Sequence, residues 1–69
     1  NMPIYFALIE NRLRAGDKIK AQAYASQMVV QFGKEGVLQN ISLFTDNRAS
    51  APISRKVVEP FIRDFIENM

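Results

Sequence analysis

The chain has 69 residues, of which 48% are hydrophobic and 23% are charged, and its formal net charge is +2. A chain of this length makes one small domain, and this composition is typical of a folded domain rather than a disordered one. Neither cysteine nor histidine is present, which excludes disulfides, thiolate metal sites and histidine-based catalysis. The net charge is too small to indicate a polyanionic partner by itself.

The first predicted element is a helix that begins at Met2-Pro3 and ends at Gly16. Proline is well tolerated in the first turn of a helix, and glycine is a common helix terminator. Glu10 and Arg14 mark the predicted solvent side, opposite a broad apolar arc. A strand over Ile4–Ile9 is the alternative, because a short apolar run fits either structure. The arc comprises Ile4, Tyr5, Phe6, Leu8, Ile9, Leu13 and Ala15.

The second predicted element is a central helix over Ala21–Phe32, with Asp17 as its N-cap. The segment contains no charged residue, no glycine and no proline. On a helical wheel it has two apolar strips on nearly opposite sides, so it requires packing partners on both sides. The main strip comprises Ala21, Tyr24, Ala25, Met28 and Phe32, with Val29 at its edge; the second comprises Ile19, Ala23 and Val30.

The link between these two helices is short, so we expect them to be roughly antiparallel. The run Leu13–Asp17, which reads Leu-Arg-Ala-Gly-Asp, is followed by Lys20-Ala21. These residues resemble the inter-helix turn of a tetratricopeptide-type hairpin. No second copy is present at the period of about 34 residues that such arrays need. The resemblance therefore implies a helical hairpin and not a repeat array.

The middle of the chain gives weaker signals. The segment Gly33–Gly36 is predicted to end the central helix, with Gly33 at the C′ position, where glycine is favoured. The segment Val37–Phe44 is predicted to be a short helix, with a strand as the alternative. The segment Thr45–Pro52 has the composition of a loop.

The last predicted element is an amphipathic helix from about Ser54 to the end of the chain. Pro60 falls in the polar half of its wheel, where a kink bends a helix around its core. One bent helix is therefore favoured over a helix that begins at Pro60. Glu59 and Arg63 have the i,i+4 spacing of a surface ion pair. The apolar half comprises Val57, Val58, Phe61, Ile62, Phe65, Ile66 and Met69.

Together these elements predict a mainly α fold. We expect residues 1–69 to form a single small three- to four-helix domain with an N-terminal antiparallel helical hairpin and a bent C-terminal helix. The apolar surface of these helices exceeds what three or four short helices can bury. A surplus strip, either Ile19, Ala23 and Val30 or the Ile4–Phe6 edge, would then bind a second chain. The alternative is that Val37–Phe44 covers this strip within the monomer.

A second functional hypothesis concerns the segment Ile53–Phe65, which resembles the recognition helix of a helix-turn-helix or winged-helix DNA-binding protein. In that family a serine N-cap is followed by arginine, valine and aliphatic core positions. The resemblance implies that the first turn, with Ser54, Arg55 and Lys56, enters the major groove of duplex DNA. Pro60 departs from the family pattern, because the family keeps a regular helix at this position. The alternative is an amphipathic helix with ordinary surface charge.

Four further cations could extend such a basic surface, because the predicted turn brings a helix N-terminus beside them. The alternative is a solvated corner of the hairpin, in which the cations near the end of the first helix stabilise its dipole. If the fold placed these cations beside Arg55 and Lys56, the DNA-binding hypothesis would be strengthened. The four residues are Arg12, Arg14, Lys18 and Lys20.

The sequence thus favours an oligomerisation or protein-interaction module that binds itself or another chain, with a small DNA-binding regulator as the alternative. We expect no catalysis, cofactor, metal or small-molecule substrate, since the carboxylates are scattered and no glycine-rich phosphate loop is present. The longest apolar run, Ile4–Ile9, is too short to cross a membrane, and a cytoplasmic location is the default expectation.

Overall fold

The computed structural model describes the backbone of residues 2–46 and 51–69 and the side chains of residues 2–41 and 57–69. It contains four helices: α1 (Met2–Arg14), α2 (Lys18–Phe32), α3 (Lys34–Asp46) and α4 (Ala51–Glu67). The described ranges contain no strand. The predicted helical fold is therefore confirmed, and the strand alternatives for Ile4–Ile9 and Val37–Phe44 are wrong.

The end of α1 is fixed by Gly16. Its backbone has φ +80°, a left-handed conformation that favours glycine. The Gly16 N–H donates to the Leu13 carbonyl at 3.1 Å, and the Asp17 N–H donates to the Arg12 carbonyl at 2.8 Å. These two bonds form a Schellman motif, which satisfies carbonyls that the end of a helix leaves unpaired. The predicted glycine stop is confirmed.

Asp17 then begins α2. Its side chain accepts a hydrogen bond from the Lys20 backbone N–H at 3.1 Å, as expected of an N-cap. The Asp17 carbonyl also accepts the first helical bond, from the Ala21 N–H at 3.2 Å. One residue therefore closes the Schellman motif of α1 and caps α2, which leaves almost no freedom between the two helices.

The far ends of α1 and α2 meet through Tyr5. Its hydroxyl donates to Gln31 Oε1 at 3.2 Å, and its ring contacts Phe32 edge-to-face, with centroids 6.3 Å apart and planes at 78°. Such a ring geometry is favourable beyond the area it buries. Because the start of α1 lies beside the end of α2, the two helices are antiparallel, and the predicted hairpin is confirmed.

Gly33 separates α2 from α3. With φ +82° and ψ 154° it occupies a region that is essentially restricted to glycine. Its N–H donates to the Val29 carbonyl at 2.8 Å, and its carbonyl accepts from the Val37 N–H at 3.1 Å. This one residue therefore ends α2 and leads directly into α3. Gly36 was expected in the turn but lies inside the first turn of α3.

The connection between α3 and α4 is shorter than expected. Thr45 and Asp46 belong to α3, while Ala51 and Pro52 already belong to α4. Proline in the first turn of a helix costs no hydrogen bond, so loop-like composition did not prevent helix formation there. The prediction of a loop over Thr45–Pro52 is wrong at both ends, and residues 47–50 lie outside the described part.

All four helices contribute to one core. The inner face of α2, with Ala21, Ala25 and Met28 all 0% exposed, packs at its centre. These residues belong to the main apolar strip that the sequence predicted, of which Tyr24 and Phe32 are half-buried. The buried residues are Phe6, Ile9, Ala21, Ala25, Met28, Val29, Val37, Ile41, Val58, Ile62 and Ile66.

The orientation of α1 differs from the prediction. Its buried face is centred on Phe6 and Ile9, and Glu10 lies one helical turn beyond Phe6 on that face. Glu10 was expected in solvent but is only 7% exposed, and its carboxylate pairs with Arg14 at 3.1 Å. Ile4 was expected in the apolar arc but is 57% exposed, because it lies on the opposite side.

Helix α4 is one continuous helix that contains Pro60, which confirms the prediction. Val58, Ile62 and Ile66 are buried along one side. On the solvent side, Arg63 Nε donates to Glu59 Oε2 at 2.9 Å across the position of the proline. Proline has no N–H to donate one turn back, so α4 lacks one of its helical bonds at this point.

We expect Pro60→Ala to raise the free energy of unfolding by about 0.5–3 kcal/mol, because alanine restores that bond and suits a helix interior better. Chemical denaturation measures the change. Pro3→Ala is the matched control: Pro3 lies in the first turn of α1, where no bond is restored, so we expect no gain. A clear loss of stability in Pro60→Ala would show that α4 is not continuous through this residue.

Candidate interaction surfaces

The second apolar strip of α2 lies on the surface of the protein. Ile19 is 80% exposed and Val30 is 82% exposed, and Ala23 is also exposed. Ser26, which is partly exposed, falls on the same line at helical spacing. We refer to Ile19, Ala23, Ser26 and Val30 together as the outer strip. Helix α3, the alternative cover for this strip, leaves its two large side chains in solvent.

The outer strip is narrow and straight. At 100° per residue its four members lie within an arc of about 60°, and at 1.5 Å per residue they extend over about 16 Å of the helix axis. Lys20, Gln27 and Gln31 line one flank, and Lys18 and Gln22 line the other; all five are exposed. Helix α2 carries no acidic residue, so the face is apolar at its centre and weakly basic at one end.

Exposed aliphatic side chains are common on protein surfaces and need no explanation when they are scattered. Here the two most exposed ones share a line on one helix. Among the described residues, the large hydrophobic side chains that are mostly exposed are Ile4, Ile19, Val30 and Met69. Ile4 lies in the first turn of α1 and Met69 is the last residue, so neither belongs to a comparable strip.

A groove lies beside the start of the outer strip, between the first turns of α2 and the second half of α4. Its volume is about 820 Å³. Phe61 and Phe65 are half-buried in it, and Lys18 and Asp64 bring opposite charges to it. This groove was not predicted from the sequence, because the helical wheel places both phenylalanines in the core. The complete lining is Lys18, Gln22, Pro60, Phe61, Asp64, Phe65, Asn68 and Met69.

The four cations of the hairpin turn differ in their surroundings. Arg14 pairs with the buried carboxylate of Glu10, and Arg12 is half-buried. Lys18 and Lys20 project from opposite flanks of α2, since two residues on a helix are separated by about 200°. Asp17 caps the N-terminus of α2 and occupies the Lys20 N–H that an anion would need.

The other half of the predicted DNA-binding surface lies outside the described side chains. Helix α4 begins at Ala51, so Ser54 ends its first turn and is not an N-cap, while Arg55 and Lys56 belong to the second turn. The prediction that these three residues form the first turn of the last helix is therefore wrong.

Within the described residues, neither a metal-binding cluster nor a membrane-spanning helix is present. No group of three or more acidic side chains could hold a metal ion there. None of the helices in this part of the chain is long and apolar enough to cross a membrane. Comparison of the chain with protein-family models, with characterised proteins and with solved structures finds no match.

Proposed function

We propose that the chain is a helical protein-interaction module and that the outer strip of α2 is its binding face. The observation that supports this proposal is the exposure of Ile19 and Val30, at 80% and 82%, on a helix whose opposite face contributes Ala21, Ala25 and Met28 to the core. The core of the domain is built entirely without these two side chains. They therefore contribute little to folding and remain available to a partner.

The energetics of the strip suit a protein partner. Full burial of an isoleucine or valine side chain contributes roughly 1.5–3 kcal/mol relative to solvent. Ala23 and Ser26 are small and lie between the two larger residues, so a partner helix can approach the axis of α2 closely. The flanking glutamines offer amide donors and acceptors without the desolvation cost of charged groups. This combination of an apolar centre and polar edges is common in interfaces.

DNA binding is the weaker proposal. It requires several free cations on one surface, because phosphate contacts dominate the affinity of proteins for duplex DNA. Of the four cations at the hairpin turn, Arg14 is paired with Glu10. Lys18 and Lys20 face different directions, so they do not contact the same phosphates.

The interaction function is tested by photo-crosslinking in the cells that produce the protein. A benzophenone amino acid replaces Gln27, which is exposed beside Val30, and in a control replaces Glu67, which is exposed on α4. We expect a crosslinked adduct of defined mass at position 27 only, and its loss when Val30→Asp is added, because a carboxylate would have to be desolvated in the interface. Equal adducts at both positions, or none at position 27, would contradict the proposal.

The DNA-binding alternative makes a different prediction. Suppose that the cations of the hairpin turn, together with Arg55 and Lys56, made four to six phosphate contacts. The logarithm of the DNA affinity would then fall with the logarithm of the salt concentration along a slope of about −4 to −5. We expect no measurable binding to duplex DNA at physiological ionic strength and no such slope in a fluorescence anisotropy titration. Tight, salt-sensitive binding that is lost in Arg55→Ala/Lys56→Ala would favour the DNA-binding regulator over the interaction module.

A further inference from the structure

We propose that the partner of the outer strip is a second copy of this chain, with the two α2 helices packed antiparallel about a two-fold axis. The inference rests on the proposed interaction function and names the partner. It follows from three properties of α2: the order of residues along the strip, their sizes, and the positions of the charges on its flanks.

The outer strip is self-complementary about its midpoint, between residues 24 and 25. When a second copy runs in the opposite direction about this point, Ile19 lies opposite the partner's Val30, and Ala23 lies opposite the partner's Ser26. Each contact then occurs twice, as a two-fold interface requires. Large side chains meet at both ends of the strip, where each is about four-fifths exposed in the single chain.

The spacing of the strip also suits a pair of helices. Its members follow one another at intervals of four, three and four residues, which is the alternation of a helix–helix seam. The small residues at the centre allow the two axes to approach, and the aliphatic residues on either side fill the space where slightly crossed helices diverge. A single helix pair falls at the small end of the interface range, below about 1,200 Å², so we expect a weak dimer.

The positions of Lys18 and Lys20 favour an antiparallel over a parallel pair of α2 helices. In a parallel pair the two different flanks meet, so Lys20 would lie about 3 Å along the axis from the partner's Lys18. In an antiparallel pair each flank meets its own copy, and Lys20 lies between the partner's Gln27 and Gln31 instead. The two copies of Lys20 are then about 13 Å apart along the axis, which exceeds the screening length of about 8 Å at physiological salt.

The dipoles of the two α2 helices also favour antiparallel packing. Antiparallel packing brings Lys18 and Lys20 towards the C-terminal end of the partner's α2, where the helix dipole is negative. Lys34 and Glu35, which follow that end, are both exposed and cancel in charge. Parallel packing would instead place four lysines around two positive helix ends.

The absence of native cysteine allows a direct test of this register. The single variants Ile19→Cys and Val30→Cys are oxidised separately and as an equimolar mixture, at a concentration where the wild type associates. A disulfide requires Cα atoms within about 7 Å. In the antiparallel dimer, equivalent residues of this pair lie about 16 Å apart along the axis, whereas residues 19 and 30 of different copies are opposite each other.

We expect the mixture to form a disulfide-linked heterodimer at least about tenfold faster than either variant alone. Sedimentation equilibrium of the unmodified chain accompanies the test. Val30→Asp should raise the dimer dissociation constant by about 100-fold or more, since its carboxylate would be desolvated. Ile4→Asp is the matched control and should leave it unchanged, because it alters an exposed isoleucine outside the strip.

Faster crosslinking within either single variant would overturn the antiparallel register. A wild-type chain that stays monomeric at millimolar concentration would overturn the second copy as partner. Neither result would overturn the proposed interaction face, because an adduct of defined mass with a different protein at position 27, lost in Val30→Asp, would still support the proposed function. The absence of any adduct at position 27 would overturn the function itself, so the two failures are distinguishable.

Discussion

The fold depends on how tightly α2 is tied to its neighbours at both ends. Gly16 adopts φ +80° and closes α1, and Asp17 both completes that closure and caps α2. Gly33 does the same at the other end, since it ends α2 and accepts the first bond of α3. Because these connections leave so little freedom, α1 and α3 are both held against α2, and α4 contributes Val58, Ile62 and Ile66 to the same core. Glycine is required at both connections because an L side chain is strained at these dihedrals.

This arrangement accounts for the exposed side of α2. A small domain has few helices with which to cover a central one, and here the buried face of α2 includes Ala21, Ala25 and Met28, all 0% exposed. The alanines let neighbouring helices approach closely, while Met28 adapts its shape to fill the space that remains. On the opposite side no described helix covers Ile19 and Val30, which stay in solvent. The proposed interaction face is thus a consequence of how the core is built.

Sequence reasoning predicted the helices and the inner face well, because the signals are local: a proline start at Pro3, glycine stops at Gly16 and Gly33, the Asp17 cap, and apolar periodicity within α2. It was wrong where tertiary contacts decide the outcome. Nothing in the sequence around Glu10 indicates that it is buried. It nevertheless lies on the packed face of α1, with Arg14 as its ion-pair partner. The groove beside Phe61 and Phe65 was also not foreseen, since a helical wheel shows which side of α4 is apolar but not how much of it a neighbour covers. The two apolar sides of α2 were evident from the sequence, and Ile19, Ala23 and Val30 were predicted as one candidate surplus strip. The structure shows that Ile19 and Val30 are exposed.

The inner face of α2 holds the domain together, whereas its outer face does not. This difference is measured by comparing the unfolding free energies of Met28→Asp and Val30→Asp, at concentrations low enough to keep the chain monomeric. Both variants place the same charge on the same helix, two residues apart. Met28→Asp buries an unpaired carboxylate, so we expect a loss of about 3–5 kcal/mol, which is a large part of the stability of a small domain. Val30→Asp should change stability by no more than about 0.5–1 kcal/mol, because the residue is 82% exposed. Similar losses in both variants, or a cooperative wild-type-like transition in Met28→Asp, would contradict the account.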